Sequence, residues 1–404
     1  MLIVGAGAAG LAAGITAARR GEKVTILEAN AAPGRKILVS GNGRCNIGNR
    51  HIDPARYHSG DPTFVEAVLS GYDAHRIGKF LESLGLILEE EEAGKLFPMG
   101  RKASTVVKLL IRECQRLGVE LVTECKVTEI EKTAEGFRIE STQGLYKPSK
   151  LLLAAGSPAA PQLGGANTVM LLAQALGHPL VPPRPALAAL ESDESWPKRA
   201  AGVKLPARLT LLANGGEAAS EEGDLLFTDY GVSGLAVLDI SREVSLRLAA
   251  WEYCELRIDL LPRLSKERLE DLLLKRIDPD RNLPLELWLE GVLHPKLVPV
   301  VLERARIGAE SEVSLRRKSV KKIVYTLKHL TLPISGVRDF RYAEVATGGV
   351  DVTQIDPETM ASRLIPGLHF AGEILDVDGN RGGFNFHWAW TTGMRAADGM
   401  MDDG

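Results

Sequence analysis

The N-terminal residues alternate short apolar runs with glycines in a pattern typical of a strand, a tight turn and a helix. Leu2–Val4 predicts the end of a buried strand, and a helix-forming run, Leu11–Arg20, follows it and ends at Gly21. A second apolar strand, Val24–Leu27, leads directly into Glu28. The order strand, helix, strand predicts a βαβ unit at the start of the chain.

The turn between the first strand and the helix carries a G-x-G-x-x-G motif made by Gly5, Gly7 and Gly10. In such a unit the first glycine permits the tight turn, the second admits a pyrophosphate to the backbone, and the third lets helix and strand pack closely. Glu28 lies 28 − 10 = 18 residues after the last glycine, where an acid binds the adenosine ribose hydroxyls. The segment therefore predicts a dinucleotide site, and the free carboxylate argues against a ribose 2′-phosphate there.

Further along, the apolar pattern changes between helical and strand periods. Ala103–Leu117 predicts an amphipathic helix, and three runs up to Lys150–Ala154 predict a β-meander. Near the C-terminus, Leu368–Phe370 predicts a strand that ends in Gly372 and an acid. A glycine pair then precedes a predicted helix over Phe384–Met394, whose N-terminus suits negative charge.

The pattern also indicates where the chain divides. Residues 178–186 form a proline-rich linker, after which 187–262 predict short strands and 265–330 predict helices. The last segment again shows the pattern of the first, an apolar strand followed by glycine and a helix. We therefore predict an α/β fold in which residues 1–182 and 336–404 form a Rossmann-like domain and 183–335 form an inserted, β-rich then helical domain.

Composition and charge narrow the function classes. The chain has 404 residues, 45% hydrophobic and 25% charged, with a net charge of −3, which predicts a soluble cytoplasmic protein without a nucleic-acid or membrane partner. Its 4 cysteines contain no C-x-x-C, which speaks against a dithiol reductase or a zinc site. The basic stretch 316–322 is interpreted as a solvated helix face rather than an RNA site, because the chain as a whole is acidic and no aromatic residue interrupts the stretch.

Three segments together resemble one family. GAGAAG with Glu28, GRKILVSGNGRCN at 34–46 and GLHFAGEILDVDGNRGGFNFHWAWTTG at 367–393 resemble the bacterial FAD-binding flavoproteins called BaiN-like or aminoacetone-oxidase-like NAD(P)/FAD-dependent oxidoreductases. The resemblance covers nearly the whole chain, and it extends more distantly to fumarate-reductase-like and glutathione-reductase-like flavoproteins. It implies a glutathione-reductase-like FAD domain with an inserted domain, and a site at the cleft between them.

The resemblance also implies which residues contact FAD. The family's contacts are carried over as a set. They comprise the turn at the pyrophosphate, the acid at the ribose, a second stretch at the phosphates, a loop beside the flavin, a contact with the adenine, a second glycine turn, the strand end at the ribityl chain and the helix start at the flavin. They are Gly5, Gly7, Ala8, Ala9, Gly10, Glu28, Arg35, Lys36, Ser40, Gly41, Gly43, Arg44, Cys45, Asn46, Val127, Ala155, Gly156, Gly372, Glu373, Asp378, Gly383, Phe384 and Asn385.

Two side chains are candidates for catalysis, and each has a structural alternative. Cys45 is either a reactive thiol beside the flavin or a small residue that fills a tight loop. His387 is either a proton donor or a packed residue at a helix start beside two tryptophans. We leave the catalytic residues unassigned between these alternatives, and we expect no metal.

The predicted function is that of an FAD-dependent oxidoreductase. NAD(P)H would act as a transient electron donor, because the chain has one dinucleotide motif and not two, and a small organic acceptor such as an unsaturated ketone would be reduced. One alternative is a flavin amine oxidase that uses oxygen. Another is a non-enzymatic flavin-binding sensor or electron-transfer partner that docks through its basic stretch.

Overall fold

The computed structural model of this chain describes residues 1–308 and 310–402. It divides into two compact units, one formed by residues 1–184 with 344–404 and the other by residues 185–343. The sequence placed the second boundary after residue 335. Residues 336–343 instead belong to the second unit, because the strand Gly336–Val337 pairs within its sheet.

The helices are α1 Ala8–Arg19, α2 Arg35–Val39, α3 Pro62–Leu69, α4 Ala74–Glu82, α5 Ala103–Arg116, α6 Thr168–Ala175, α7 Trp196–Arg199, α8 Leu235–Ala249, α9 Lys266–Lys275, α10 Leu285–Glu290, α11 Val298–Ala305, α12 Arg317–Lys328 and α13 Phe384–Asp402. Across the described residues, no helix combines the length and apolar character needed to cross a bilayer.

The strands are β1 Leu2–Val4, β2 Thr25–Leu27, β3 Gly48–Asn49, β4 Tyr57–Ser59, β5 Leu88–Glu90, β6 Lys95–Pro98, β7 Glu120–Val122, β8 Val127–Thr133, β9 Gly136–Ser141, β10 Gly144–Tyr146, β11 Leu151–Leu153, β12 Leu180–Ala186, β13 Leu190–Glu191, β14 Lys204–Ala213, β15 Gly216–Phe227, β16 Gly231–Ser233, β17 Cys254–Asp259, β18 Leu330–Ile334, β19 Gly336–Val337, β20 Val345–Val350, β21 Leu368–Phe370 and β22 Val377–Gly379.

A five-stranded parallel sheet in the order β21-β11-β1-β2-β7 forms the centre of the first unit. Strands β1, β11 and β21 are fully buried, as expected for a parallel sheet that is covered on both faces. In register, Val4 lies beside both Leu27 and Leu153, and Leu153 lies beside Phe370. The carboxyl ends of these four strands therefore lie along one edge, where ligands bind in open α/β sheets. This sheet confirms the predicted α/β, Rossmann-type fold.

Helix α13 packs against α1 beside this edge. The two helices meet through small residues: a Cβ placed on Gly393 would lie 2.3 Å from the carbonyl oxygen of Ala9. The indole Nε1 of Trp388 donates to the carbonyl of Gly372, and that of Trp390 donates to the carbonyl of Ile47. These bonds fix the start of α13 relative to the end of β21.

The second unit is built on a seven-stranded sheet in the order β18-β17-β14-β15-β16-β13-β19. Its pairs are antiparallel, and α8 to α12 contribute to a hydrophobic core of its own that includes Trp196 and Trp288. The sequence predicted only short strands over 187–262 and missed α8, which lies within this range. The signal was present, since the buried positions of α8, such as Val237, Ile240 and Val244, follow helical spacing.

Candidate cofactor site

The structure explains in different ways why glycine occupies the three positions of the first turn. Gly5 has φ +106°, and a Cβ there would lie 2.5 Å from the carbonyl oxygen of Ala154. A Cβ on Gly10 would lie 1.9 Å from the carbonyl oxygen of Gly5. A Cβ on Gly7, in contrast, would meet no described atom within 4 Å. The protein's own packing therefore explains Gly5 and Gly10, whereas Gly7 leaves space that a ligand can use.

The start of α1 has the electrostatics of an anion site. Gly7 is the N-cap residue and provides no side-chain cap, and the first turn contains no acidic residue. The backbone N–H groups at Ala8 and Ala9 begin a helix of 12 residues, whose dipole favours negative charge at this end. The open space at Gly7 and this field together fit a pyrophosphate.

Glu28, at the end of β2, is 8% exposed and is held at both carboxylate oxygens. Oε2 accepts from the backbone N–H of Ala6 at 2.9 Å, and Oε1 accepts from the backbone and side-chain nitrogens of Asn30 at 2.9 and 2.6 Å. A carboxylate has about four lone-pair sites, so it can accept further bonds from a ribose. The fixed position of Glu28 beside the glycine turn suits this role.

Arg35 and Lys36, predicted together as a phosphate-contacting stretch, lie in different networks. Arg35 donates to the side-chain oxygen of Asn30 and to the carbonyl of Gln162, each at 2.8 Å, so it extends the Glu28 network. Lys36 forms an ion pair with Glu373, with 2.8 Å between Nζ and Oε2. This pair joins α2 to the end of β21 along the same sheet edge, and both side chains remain partly exposed.

The loop from Ser40 to Asn46 turns sharply. Gly41, Asn42, Gly43 and Cys45 all have φ between +54° and +79°, a conformation that favours glycine. A Cβ on Gly41 would lie 3.0 Å from the backbone nitrogen of Asn46. The Oδ1 atom of Asn46 is buried without a hydrogen-bond partner among the described residues, which marks it as an acceptor for a ligand or water.

The side chain of Arg44 contacts Phe97, Glu91 and the backbone of Gly41. Its guanidinium lies 4.9 Å from the centroid of the Phe97 ring and 3.5 Å from Glu91. The side chain is 45% exposed. The carbonyl of Gly41 accepts a further bond from its Nε at 3.4 Å. These contacts account for Arg44 as a residue that holds the loop in place.

The thiol of Cys45 is fully buried, and this burial raises its pKa to about 11, although a hydrogen bond with Ser40 opposes the shift. At neutral pH the group is therefore protonated and a poor nucleophile. This environment favours the interpretation of Cys45 as a small residue in a tight loop.

We expect iodoacetamide to leave Cys45 unlabelled in the folded protein at mildly alkaline pH, where a pKa of about 11 leaves almost no thiolate. Mass spectrometry after proteolysis measures the labelling, and the urea-unfolded chain serves as the control that must be labelled. The Cys45→Ala variant should also reduce its substrate at a rate within about twofold of the wild-type rate, because a buried, protonated thiol contributes only packing. Rapid labelling together with loss of activity would contradict this interpretation.

The start of α13 is fixed by contacts from distant parts of the chain. Gly383 has φ +100°, and a Cβ there would lie 2.2 Å from the carbonyl oxygen of Gly48. The carbonyl of Gly382 accepts from the side chain of Asn49 at 2.9 Å, and the carbonyl of Phe384 accepts from the hydroxyl of Tyr57 at 3.1 Å. Sequence reasoning missed Asn49 and Tyr57, because nothing local marks them as partners of a helix more than 300 residues away.

Asn385, predicted to contact FAD, uses its amide on the chain. Its Oδ1 accepts from the backbone nitrogen of Gly379 at 2.8 Å, and its Nδ2 donates to the carbonyl of the same residue at 2.7 Å. The predicted contact Asp378 is 2% exposed on β22, where it lies opposite His58 in register. The two bonds of Asn385 hold the turn that leads into Gly383.

His387 lies one turn into α13 and is 1% exposed. Its Nε2 lies 2.7 Å from the carbonyl oxygen of Tyr72, which can only accept, so this nitrogen carries the proton. Burial lowers the pKa of the ring to about 4, so it is neutral at physiological pH. These contacts favour the packed interpretation over the proton donor.

The remaining predicted residues divide between the sheet edge and the core. Ala155 and Gly156 follow β11 at the edge, and Gly156 has φ +75° with open space at its Cβ position. Gly372 follows β21 with φ +80°. Val127 begins β8 and is 3% exposed. Within residues 1–308 and 310–402, no group of three acidic, histidine or cysteine side chains could hold a metal ion.

A parallel sheet whose edge carries a glycine turn, an acid directly after the second strand and the uncapped start of α1 defines a dinucleotide-binding protein. Residues 1–399 match the family described as HI0933-like protein Rossmann domain. The chain belongs to this family and is an FAD-dependent oxidoreductase.

Three curated relatives are similar along nearly their whole lengths. The chain is 33% identical over 397 residues to the 3-dehydro-bile acid delta(4,6)-reductase of Clostridium scindens, covering 98% of this chain and 97% of the relative. It is also 33% identical over 405 residues to the ribosomal RNA dihydrouridine synthase of Haemophilus influenzae, with the same coverage. A synthase of the same name from Escherichia coli is 31% identical over 408 residues. The expectation that no nucleic acid is involved therefore loses its support.

Among solved structures, 3-ketosteroid-delta4-(5alpha)-dehydrogenase from Rhodococcus jostii RHA1 is similar with a TM-score of 0.50 and 16% identity. The similarity covers 99% of this chain and 96% of that one. At this level of identity the likeness supports the fold alone.

Proposed function

We propose that this protein reduces a carbon–carbon double bond that is conjugated to a carbonyl group, with electrons from NAD(P)H. One observation carries the proposal: a bile-acid reductase and a ribosomal RNA dihydrouridine synthase each match 98% of the chain at 33% identity. A 3-oxo steroid with delta(4,6) unsaturation and the uracil ring of uridine share this chemistry, since each has a double bond conjugated to a carbonyl. The two substrates share the type of bond that reacts, although they differ in size.

The residues at the sheet edge fit FAD. The open space at Gly7 and the start of α1 would receive the pyrophosphate, and Glu28 would accept bonds from the adenosine ribose. The unpartnered Oδ1 of Asn46 and the start of α13 at Gly383 would lie toward the flavin. When bound, FAD supplies a ring that takes up a hydride from one molecule and delivers it to another.

Helix α13 contributes its electrostatic field. A helix start stabilises negative charge, which a reduced flavin carries near N1 and the C2 carbonyl. The bonds from Asn49, Tyr57 and Asn385 hold this helix start in one position before any ligand binds. Preorganised dipoles of this kind lower the cost of developing charge, because the protein does not reorganise during the reaction.

NAD(P)H would bind only transiently and would not remain bound as a cofactor. The chain contains one G-x-G-x-x-G turn, and its βαβ unit is assigned to FAD, so the electron donor would use the open face of the flavin site. In the balanced reaction, NAD(P)H gives up a hydride and becomes NAD(P)⁺, while the substrate gains that hydride and one proton across its double bond. Neither the Cys45 thiol nor the His387 ring suits proton donation, so the proton would come from solvent or from another group.

We expect NADPH or NADH to bleach the visible flavin spectrum of the purified protein under anaerobic conditions. Addition of 2-cyclohexenone should then restore the oxidised spectrum, whereas cyclohexanone, which lacks the double bond, should not. A spectrum that stays oxidised with both nicotinamides would contradict the proposal. Bleaching by an amine with recovery only in oxygen would favour the amine oxidase.

A further inference from the structure

A basic groove lies on the second unit between α9, α11 and α12, and its volume is about 660 Å³. Six cationic side chains line it: Lys266, Arg304, Arg306, Lys318, Lys321 and Lys322. All six are exposed at the surface. Only two acids, Glu267 and Glu270, share the lining. The groove is therefore strongly positive in a chain whose net charge is −3.

Little of this charge is neutralised by the protein. Glu270 forms an ion pair with Arg317, and Arg304 forms one with Glu194. Among the described residues, the three α12 lysines that line the groove, Lys318, Lys321 and Lys322, have no carboxylate oxygen within 4 Å, whereas Lys328 at the end of the helix pairs with Asp259. Like charges gathered without partners disfavour one another, so the arrangement favours an anionic ligand.

An aromatic ring completes the groove. Tyr325 lies one turn after Lys321 on α12, lines the groove and is 57% exposed. Its ring stacks on His329, with 4.6 Å between centroids and 20° between planes, and the Nζ of Lys266 lies 5.9 Å from its centroid. No aromatic residue interrupts the basic stretch in the sequence, yet the helix brings Tyr325 beside its lysines. Residues three and four apart become neighbours on a helix.

We propose that this groove binds the phosphate backbone of RNA and thereby positions an RNA substrate of the reductase. The role as substrate rests on the proposed function. Exposed cations beside an aromatic ring are typical of grooves that bind single-stranded nucleic acid. An acidic protein partner fits less well, because the core of a protein interface is depleted in charged residues, whereas six of the residues that line the groove are cationic. The full-length similarity to two ribosomal RNA dihydrouridine synthases agrees with this choice.

The test is binding of protein-free Escherichia coli ribosomal RNA to the FAD-loaded, full-length chain, measured by filter retention over a range of salt concentrations. The groove variant is Lys318→Glu/Lys321→Glu/Lys322→Glu. The matched control is Lys126→Glu/Lys147→Glu/Lys198→Glu, which changes the net charge equally at exposed lysines outside the groove. Each phosphate contact contributes about −0.7 to the salt slope for single strands, so the groove variant should lose about two units of slope.

We expect the groove variant to bind RNA at least about tenfold more weakly than the wild type at low salt, while the control stays within about threefold. Equal weakening of both variants would overturn the proposal, because it would show a dependence on net charge alone. Absence of RNA binding by the wild type would also overturn it. Competition by polyglutamate as effective as competition by RNA at equal charge would do the same, in favour of an acidic protein partner.

Reduction of 2-cyclohexenone by the same preparations separates this proposal from the proposed function. Both triple variants should keep the wild-type rate, since none of the six lysines belongs to the cofactor site. If the wild type binds RNA through the groove but reduces no conjugated double bond, the groove stands and the proposed function fails. If reduction occurs without RNA binding, the proposal that the groove binds RNA is contradicted and the proposed function is retained.

Discussion

Gly7→Val is expected to yield a folded chain that no longer retains FAD. The substitution is tolerable for the protein itself, because a Cβ at Gly7 meets no described atom within 4 Å and the backbone, at φ −78° and ψ −170°, suits a β-branched residue. The same side chain would fill the space proposed for the pyrophosphate. A steric cost of about 3 kcal/mol corresponds to roughly a hundredfold weaker binding.

The measurement is the ratio of flavin absorbance to protein absorbance after purification, followed by FAD titration of the stripped protein. Gly100→Val is the matched control, since Gly100 also has open space at its Cβ position and lies outside the proposed site. The control should retain FAD, and both FAD-free variants should unfold within a few degrees of the wild type. A Gly7→Val protein that purifies with stoichiometric FAD would show that the pyrophosphate does not pass this turn.

Gly393→Ala is expected to destabilise the first unit, opposite to the usual effect of replacing a helical glycine. Alanine in a helix interior is normally better than glycine by about 1 kcal/mol. At Gly393, however, the new Cβ would lie 2.3 Å from the carbonyl oxygen of Ala9, so α13 would have to move away from α1. Overpacking of this kind costs about 1–3 kcal/mol or more, and we expect a net loss of about 2 kcal/mol.

Gly78→Ala is the control for this prediction. Gly78 lies inside α4, and a Cβ there would meet only the Cδ1 atom of Leu88 at 4.0 Å, an ordinary contact. This variant should gain about 0.5–1 kcal/mol from the helix propensity of alanine. Calorimetry of the FAD-free proteins measures both thermal midpoints, since bound ligand would add its own stabilisation. A Gly393→Ala protein as stable as Gly78→Ala would mean that α1 and α13 do not approach this closely.

The proposed cofactor site was predictable to the extent that it depends on neighbours in sequence. The glycine turn and Glu28 stand at a spacing fixed by one strand, one helix and one strand, and the structure brings them to the same sheet edge. The roles of Arg35 and Asn385 were less accessible, because their partners lie elsewhere. Arg35 bonds to the carbonyl of Gln162, which is 127 residues away, and Asn385 secures a turn on its own N-terminal side.

The catalytic candidates illustrate the same limit. From the sequence, Cys45 and His387 each had a chemical and a structural interpretation, and nothing in their spacing could separate them. Burial favours the structural interpretation of both residues, because it raises the pKa of the thiol and lowers that of the imidazole, and the carbonyl of Tyr72 fixes the position of the ring proton. Each shift arises from the surrounding fold, which local sequence does not encode.

The sequence by itself determined the α/β class, the dinucleotide turn and the strands of the parallel sheet, since periodicity and glycine spacing act over one or two turns of chain. The tertiary structure alone decided the ion pair between Lys36 and Glu373, which joins residues 337 apart, and the contacts that fix the start of α13. It also gathered Lys266 from α9 beside the lysines of α12 and Tyr325. Long-range pairs depend on how elements pack, and packing follows from the whole buried surface rather than from any one segment.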